Sequence, residues 1–187
     1  MSFYRFSVDN YHQMIESGIL TEDDNVELLD GYVVQKMPHN PPHEGSIENL
    51  QVLNIKALPK GWLCRVKSSI TLSVSQPEPD LAIVRGDRRT YFTRHPNAND
   101  FGILIEVAVS SLPIDRTHKL AIYARDGVHE YWIVNIPDMQ IEVYTSPQPA
   151  AAEPHYAVRT DYRAGASVPV VLDGQPITAI PVADILP

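Results

Sequence analysis

Ile103-Leu104-Ile105-Glu106-Val107-Ala108-Val109 is apolar at every position except Glu106. A strand that is apolar on both faces needs cover on both, so this run predicts a central strand with helices packed against its sheet. Residues 80–84 (DLAIV) read as a second apolar strand before it, and residues 130–135 (EYWIVN) as a third after it. Between these a helix is expected from Asp115, as its cap, to Arg125, with Gly127 ending it. Further strands are expected at 62–67 (WLCRVK), 69–74 (SITLSV, clean alternation) and 140–144 (QIEVY). Upstream, Ser7 can cap a helix with Val8, Tyr11, Met14 and Ile15 on its apolar side, and Gly18 ends it. Residues 26–37 read as a hairpin, because Asp30-Gly31 offers the positive backbone angles of a tight turn. A Pro-rich loop (Pro38, Pro41, Pro42) then leads into a helix over about residues 43–58, stopped by Pro59 and Gly61. Residues 146–154 read as a loop and not a domain linker, and the tail 155–187 as short β runs broken by Gly165, Pro169, Asp173-Gly174 and Pro176. The expectation is an α/β fold: a mixed central sheet flanked by helices, with extra β-hairpins, in one domain over 1–187 whose residues 146–187 are a β-rich extension.

A chain of 187 residues suits one well-cored domain, and 44% hydrophobic with 20% charged residues excludes a disordered polymer. No apolar stretch approaches the length of a membrane span, and Met1 to Asn10 lacks the zones of a secretion signal. The single cysteine, Cys64, excludes an internal disulfide framework and fits a reducing cytoplasm, the expected location. A net charge of −8 argues against tight non-specific binding of nucleic acid. The charge is uneven, however: residues 56–125 hold eleven Lys/Arg against six Asp/Glu, while both ends are acidic.

Glu106 carries the chemical argument. An ionised carboxylate inside an apolar strand costs several kcal/mol unless it is paired or bound to a cation. A protonated or salt-bridged structural glutamate is the bland reading. Asp80 offers a second carboxylate at a strand end, and two convergent carboxylates are the hard oxygen ligands that Mg²⁺ or Mn²⁺ takes. Such an ion polarises a phosphodiester and lowers the pKa of an attacking water. A cation to orient that water would come from position 108, on the same face as Glu106, but Ala108 has none. Lys119 can substitute from the following helix, although taken alone it reads as a solvated helix lysine. His39 and His43 have a zinc-compatible interval with Pro41-Pro42 between them. Arg85, Arg88, Arg89 and Arg94, interleaved with Tyr91 and Phe92, could contact phosphates or form a solvated loop.

Pro79-Asp80 followed by Glu106-x-Ala108 resembles a variant of the PD-(D/E)XK nuclease superfamily with its lysine moved to the helix. More narrowly, the chain resembles the Uma family of restriction endonuclease-like proteins. The carriers are Glu27-Leu28-Leu29-Asp30-Gly31, His43 opening a helix, Pro79-Asp80-Leu81-Ala82-Ile83-Val84, Ile105-Glu106-Val107-Ala108 and Asp115-Arg116-x-x-Lys119. They continue through Tyr123-Ala124-Arg125-x-Gly127-Val128-x-Glu130-Tyr131-Trp132-Ile133-Val134 into Ile141-Glu142-Val143-Tyr144 and the tail. The resemblance implies a restriction endonuclease-like fold and a metal-dependent endonuclease, acting on nucleic acid and most of all DNA. By it Asp80 and Glu106 are ligands of Mg²⁺ or Mn²⁺, Lys119 is the catalytic cation and Glu27 an accessory acid. Members with the Glu-Val-Ala form often carry an acid next, where this chain has Val109. A homodimer is expected, since enzymes that cut both strands commonly pair two sites. The alternatives are a catalytically silent relative used for binding or assembly, and a metal-dependent phosphohydrolase of small substrates.

Overall fold

The apolar run forms β5 (Phe101–Ala108), and it lies inside the main sheet. The structure is a computed structural model that describes residues 3–38 and 40–187, apart from the side chains of residues 54 and 55. Six strands follow in the order β3 (Trp62–Val66), β4 (Leu81–Arg85), β5, β6 (Glu130–Asn135), β7 (Gln140–Gln148) and β8 (His155–Arg163). β5 and β6 run parallel and the other neighbours antiparallel, so the sheet is mixed, as expected. A parallel pair needs a crossover, and a helix, α3, supplies it.

Both faces of β5 are covered. On one, Ile103, Ile105 and Val107 pack with Ile47 and Leu50 of helix α2 (Pro41–Ala57). The same core takes in Val168, Val170 and Ile180 from a two-stranded sheet of β9 (Ser167–Leu172) and β10 (Gln175–Pro181). On the other face Leu104 and Ala108 meet Ile122, Tyr123 and Ala124 of α3. Glu106 therefore points to the α3 side, with Leu104 and Ala108. Among the described residues no helix is long and apolar enough to cross a membrane.

Helix α1 (Val8–Glu16) begins where Ser7 predicts, with a reciprocal Ser7–Asn10 capping box. The hairpin is β1 (Val26–Leu29) and β2 (Tyr32–Gln35), joined through Asp30 (φ 55°) and Gly31 (φ 80°). It is pinned at two points: Gln76 donates its N–H to the Leu28 carbonyl at 2.8 Å, and Arg125 of α3 reaches Asp30 at 2.6 Å.

Four expectations are corrected. Residues 69–74 are not a sheet strand: Ile70 and Leu72 are buried, but the N–H groups of Ile70, Thr71 and Leu72 go to the Pro77, Pro96 and Ser75 carbonyls. The alternation records burial without a ladder. Pro41 and Pro42 open α2 and are not part of the loop before it, because the first turn has no use for their missing N–H groups. The Asn40 side chain accepts the His43 N–H at 3.2 Å and takes the capping role. β7 runs on to Gln148, through residues read as loop. Finally, α3 starts at Leu112 and not at Asp115: it is α-helical over Leu112–Ile114, opens into a π-turn over Asp115–Lys119 and closes as α-helix over Leu120–Arg125. Asp115 is thereby inside the helix and 1% exposed, not a surface cap.

Candidate active site

Four chain segments bring acids to one cleft of about 640 Å³. Asp80 stands immediately before β4, and its Oδ2 accepts the backbone N–H of Val107 on β5 at 2.8 Å. The same oxygen lies 3.2 Å from Nε2 of His43, one turn into α2. Glu106, on β5, is 3% exposed. Its Oε1 accepts from Lys119 Nζ at 2.9 Å and from the Tyr123 hydroxyl at 2.7 Å, both from α3. Glu27, on β1, accepts the Glu78 N–H through Oε2 at 3.0 Å, and its Oε1 lies 3.6 Å from Lys119 Nζ. The fourth acid is Asp115, which lines the same cleft; its Oδ2 has no hydrogen-bond partner among the described residues. Asp115 and Lys119 are the two ends of the π-turn, and such turns are over-represented at functional sites.

The electrostatics follow from crowding acids around one lysine. Burial pushes the Glu106 carboxyl up to about 8; Lys119 works against this, and Asp115, Asp80 and Glu27 add to it. Burial also raises Asp115, to about 6, against Lys119 and a Ser111 hydrogen bond. Asp80 goes the other way. Its burial would raise it, but the His43 and Val107 hydrogen bonds and the charge of Lys119 hold it below the ordinary aspartate value. Burial disfavours the Lys119 ammonium, yet Glu106, Glu27 and Asp115 together raise its proton affinity well above that of a free lysine. Lys119 thus keeps its proton throughout the neutral range, and Glu106 holds one of its own up to about pH 8.

The sequence matches, over residues 8–173, the Uma2 family, described as "Putative restriction endonuclease". The chain belongs to the Uma2 family. No curated protein matches it. Among solved structures, a crystal structure titled as a putative nuclease belonging to DUF820 from Anabaena variabilis superposes with a TM-score of 0.72 at 14% identity. That alignment covers 96% of this chain and 97% of the other, so the restriction endonuclease-like fold extends over nearly the whole length.

All four residues expected in the Uma2 site, Asp80, Glu106, Lys119 and Glu27, line the one cleft. Lys119 reaches Glu106 from the helix, while Ala108, on the same face of β5 as Glu106, is buried in the core. Val109, where other members carry an acid, also lines the cleft. Three participants went unrecognised in the sequence. Asp115 was read as a cap, though its four-residue spacing from Lys119 puts both on one helix face. Tyr123 had no signal beyond its helical spacing from Lys119. His43 reads from the sequence as a helix-start histidine first, with a supporting place behind the metal ligands as the alternative. The His39 half of the zinc interval lies outside the described residues. The arginine-rich stretch is turned elsewhere: Arg85 pairs with Asp173, and Arg94 bonds Asp100 at 3.0 Å.

Among the described residues no three His, Cys, Asp or Glu side chains are grouped to hold a metal ion unaided. Mg²⁺ does not ask for that, since it is commonly held by one or two carboxylates with waters completing the shell. The donors fit on two counts. Among the described residues the hydrogen bonds to Asp80 and Glu106 fall on Oδ2 and Oε1, which leaves Asp80 Oδ1 and Glu106 Oε2 for a ligand. In addition, four buried acids face a single lysine and one histidine, a shortage of positive charge that a divalent cation would make up.

Proposed function

We propose that this Uma2 protein is a divalent-metal-dependent endonuclease that hydrolyses phosphodiester bonds of nucleic acid, DNA foremost. The observation that carries the reading is the convergence of Glu106 and Glu27 on Lys119, with Asp80 and Asp115 lining the same cleft. A structural ion pair needs one acid per base, whereas this lysine is outnumbered by acids with oxygens to spare. Asp80 and Glu106 would hold Mg²⁺ or Mn²⁺. When bound, the ion supplies Lewis-acid polarisation of the phosphodiester and a lowered pKa for water.

The chain's own side chains do the rest. The Val107 N–H and His43 fix Asp80, so its free oxygen is presented without rotamer search. The Tyr123 hydroxyl does the same for Glu106. Lys119, held within 2.9 Å of Glu106 Oε1, is placed to orient the attacking water and to offset charge developing on the phosphoryl oxygens. Burial keeps the acids from being solvated between turnovers. The deciding experiment incubates pure protein with plasmid, single-stranded DNA and RNA in Mg²⁺, Mn²⁺ or EDTA. Cleavage should require the metal and disappear in Lys119→Ala. Metal-dependent melting behaviour without cleavage of any of the three would favour the silent binding module instead.

A further inference from the structure

Part of the cleft lining, around the β1–β2 turn, is built from different chemistry. The segment before α1 lies across the hairpin turn, where the Phe6 N–H donates to the Gly31 carbonyl at 2.8 Å. Gly31 permits this approach, for a Cβ there would stand 2.8 Å from the Arg5 Cβ. Arg5 is thereby laid on Tyr32, with Nε 3.2 Å from the phenol oxygen and its guanidinium carbon 5.3 Å from the ring centroid. Phe3 meets the same ring edge-on at 6.4 Å while remaining 74% exposed. Arg5 and Tyr32 line the cleft, and so do the amide side chains of Asn25, Gln35 and Asn40. Flat π surfaces beside amide donors and acceptors are what an unpaired nucleobase binds.

The charges of the cleft point the same way. Its lining holds four Lys/Arg side chains (Arg5, Lys36, Lys67, Lys119) against six carboxylates, and Lys36 is already paired with Glu78 at 2.7 Å. A groove that grips duplex DNA through phosphates needs a surplus of free cations. This one has a deficit, so affinity must come from the bases.

We propose that Tyr32, Phe3 and Arg5 form a base-stacking subsite and that the substrate enters the cleft as an unpaired strand. The proposal rests on the nuclease reading of the cleft. It is tested by fluorescence anisotropy with a short single-stranded oligonucleotide, the same strand in a duplex, and an abasic version, in Ca²⁺. The intact single strand should bind about tenfold more tightly than either the duplex or the abasic strand. In Tyr32→Leu/Phe3→Leu that advantage should vanish while the melting temperature holds; Arg5→Gln, which leaves the hairpin sequence intact, should reduce it by itself. Equal affinity for intact and abasic strands, or a duplex bound as tightly as the single strand, would overturn the subsite. Metal-dependent cleavage with no base dependence of binding would remove the subsite and keep the nuclease reading. Base-dependent binding with no cleavage of any nucleic acid would do the reverse.

Discussion

Glu106 couples protonation to cation affinity. Its carboxyl is raised from 4.5 to about 8 in the folded protein, so the proton stabilises the fold fully below the unfolded value and that contribution is lost as pH climbs to about 8. The metal-free melting temperature should therefore fall from pH 5 to pH 8, and the fall should flatten in Glu106→Gln; scanning calorimetry of both proteins across that range checks it. Mn²⁺ must displace the same proton, so it should raise the melting temperature more at pH 8 than at pH 6. Glu106→Gln should bind Mn²⁺ weakly, yet stay folded, because Lys119 keeps Glu27 at 3.6 Å as a counter-charge. If Glu106 were only structural, the substitution would instead cost about 3–5 kcal/mol and leave Mn²⁺ binding untouched. Lys119→Ala separates the two roles: cleavage should drop by about 100-fold or more, with Mn²⁺ affinity measured by calorimetry largely retained.

Beyond the cleft, the β6–β7 hairpin carries its own buried charge. Glu142 is fully buried and accepts from Arg116 of α3 at 3.1 Å, Asn135 at 2.6 Å and the Tyr144 hydroxyl at 2.7 Å. Burial pushes its carboxyl up, but these donors and Gln140 bring it down to about 2. That stabilisation is complete above the ordinary glutamate value and is lost as pH falls from about 4.5 toward 2. Glu142→Gln leaves Arg116 short of its partner and should cost roughly 3–5 kcal/mol by urea unfolding. The sequence made such elements legible unevenly. β5, β6 and the Asp30-Gly31 turn were readable because period and turn chemistry are local. Residues 69–74 misled because alternation reports which side chains are buried and says nothing about where the N–H groups go. Glu106 stood out as a candidate because an acid in an apolar strand demands an explanation, with Asp80 as a second carboxylate at a strand end; Lys119 gained its role, and Glu27 entered at all, through the family resemblance. Asp115, Tyr123 and the His43–Asp80 contact depend on tertiary distances, and the π-turn leaves no periodic trace five residues long.

On the scale of the whole molecule, a net charge of −8 surrounds a cleft whose own cations are largely spoken for. Each phosphate neutralised on a single strand contributes about −0.7 to the slope of log K against log salt. With Arg5 and Lys67 as the lining Lys/Arg side chains that make no ion pair with a carboxylate among the described residues, the slope should be shallow, roughly −1 to −2. Titrations of one oligonucleotide across a salt series measure it. A slope of about −5 or steeper would mean that phosphates dominate binding after all. The acidic exterior would then have to be bridged by cations from solution.

The π-turn in α3 also sets a phase. A π-turn contains one residue more than the α-turn in its place, so it absorbs that residue and shifts the count at which positions before and after it share a face. Deleting Thr117, whose exposed hydroxyl only caps the Pro113 carbonyl at 2.6 Å, would let the helix close as plain α. The helix would shorten by about 1.5 Å, while the α-turns on either side would keep nearly the facing they have now. Circular dichroism should barely register the change, since the hydrogen-bonded length is nearly the same. Mn²⁺ affinity should be kept, because Asp80 and Glu106 lie on other elements, while cleavage should fall, because the tightened turn shifts Lys119 against Glu106 Oε1.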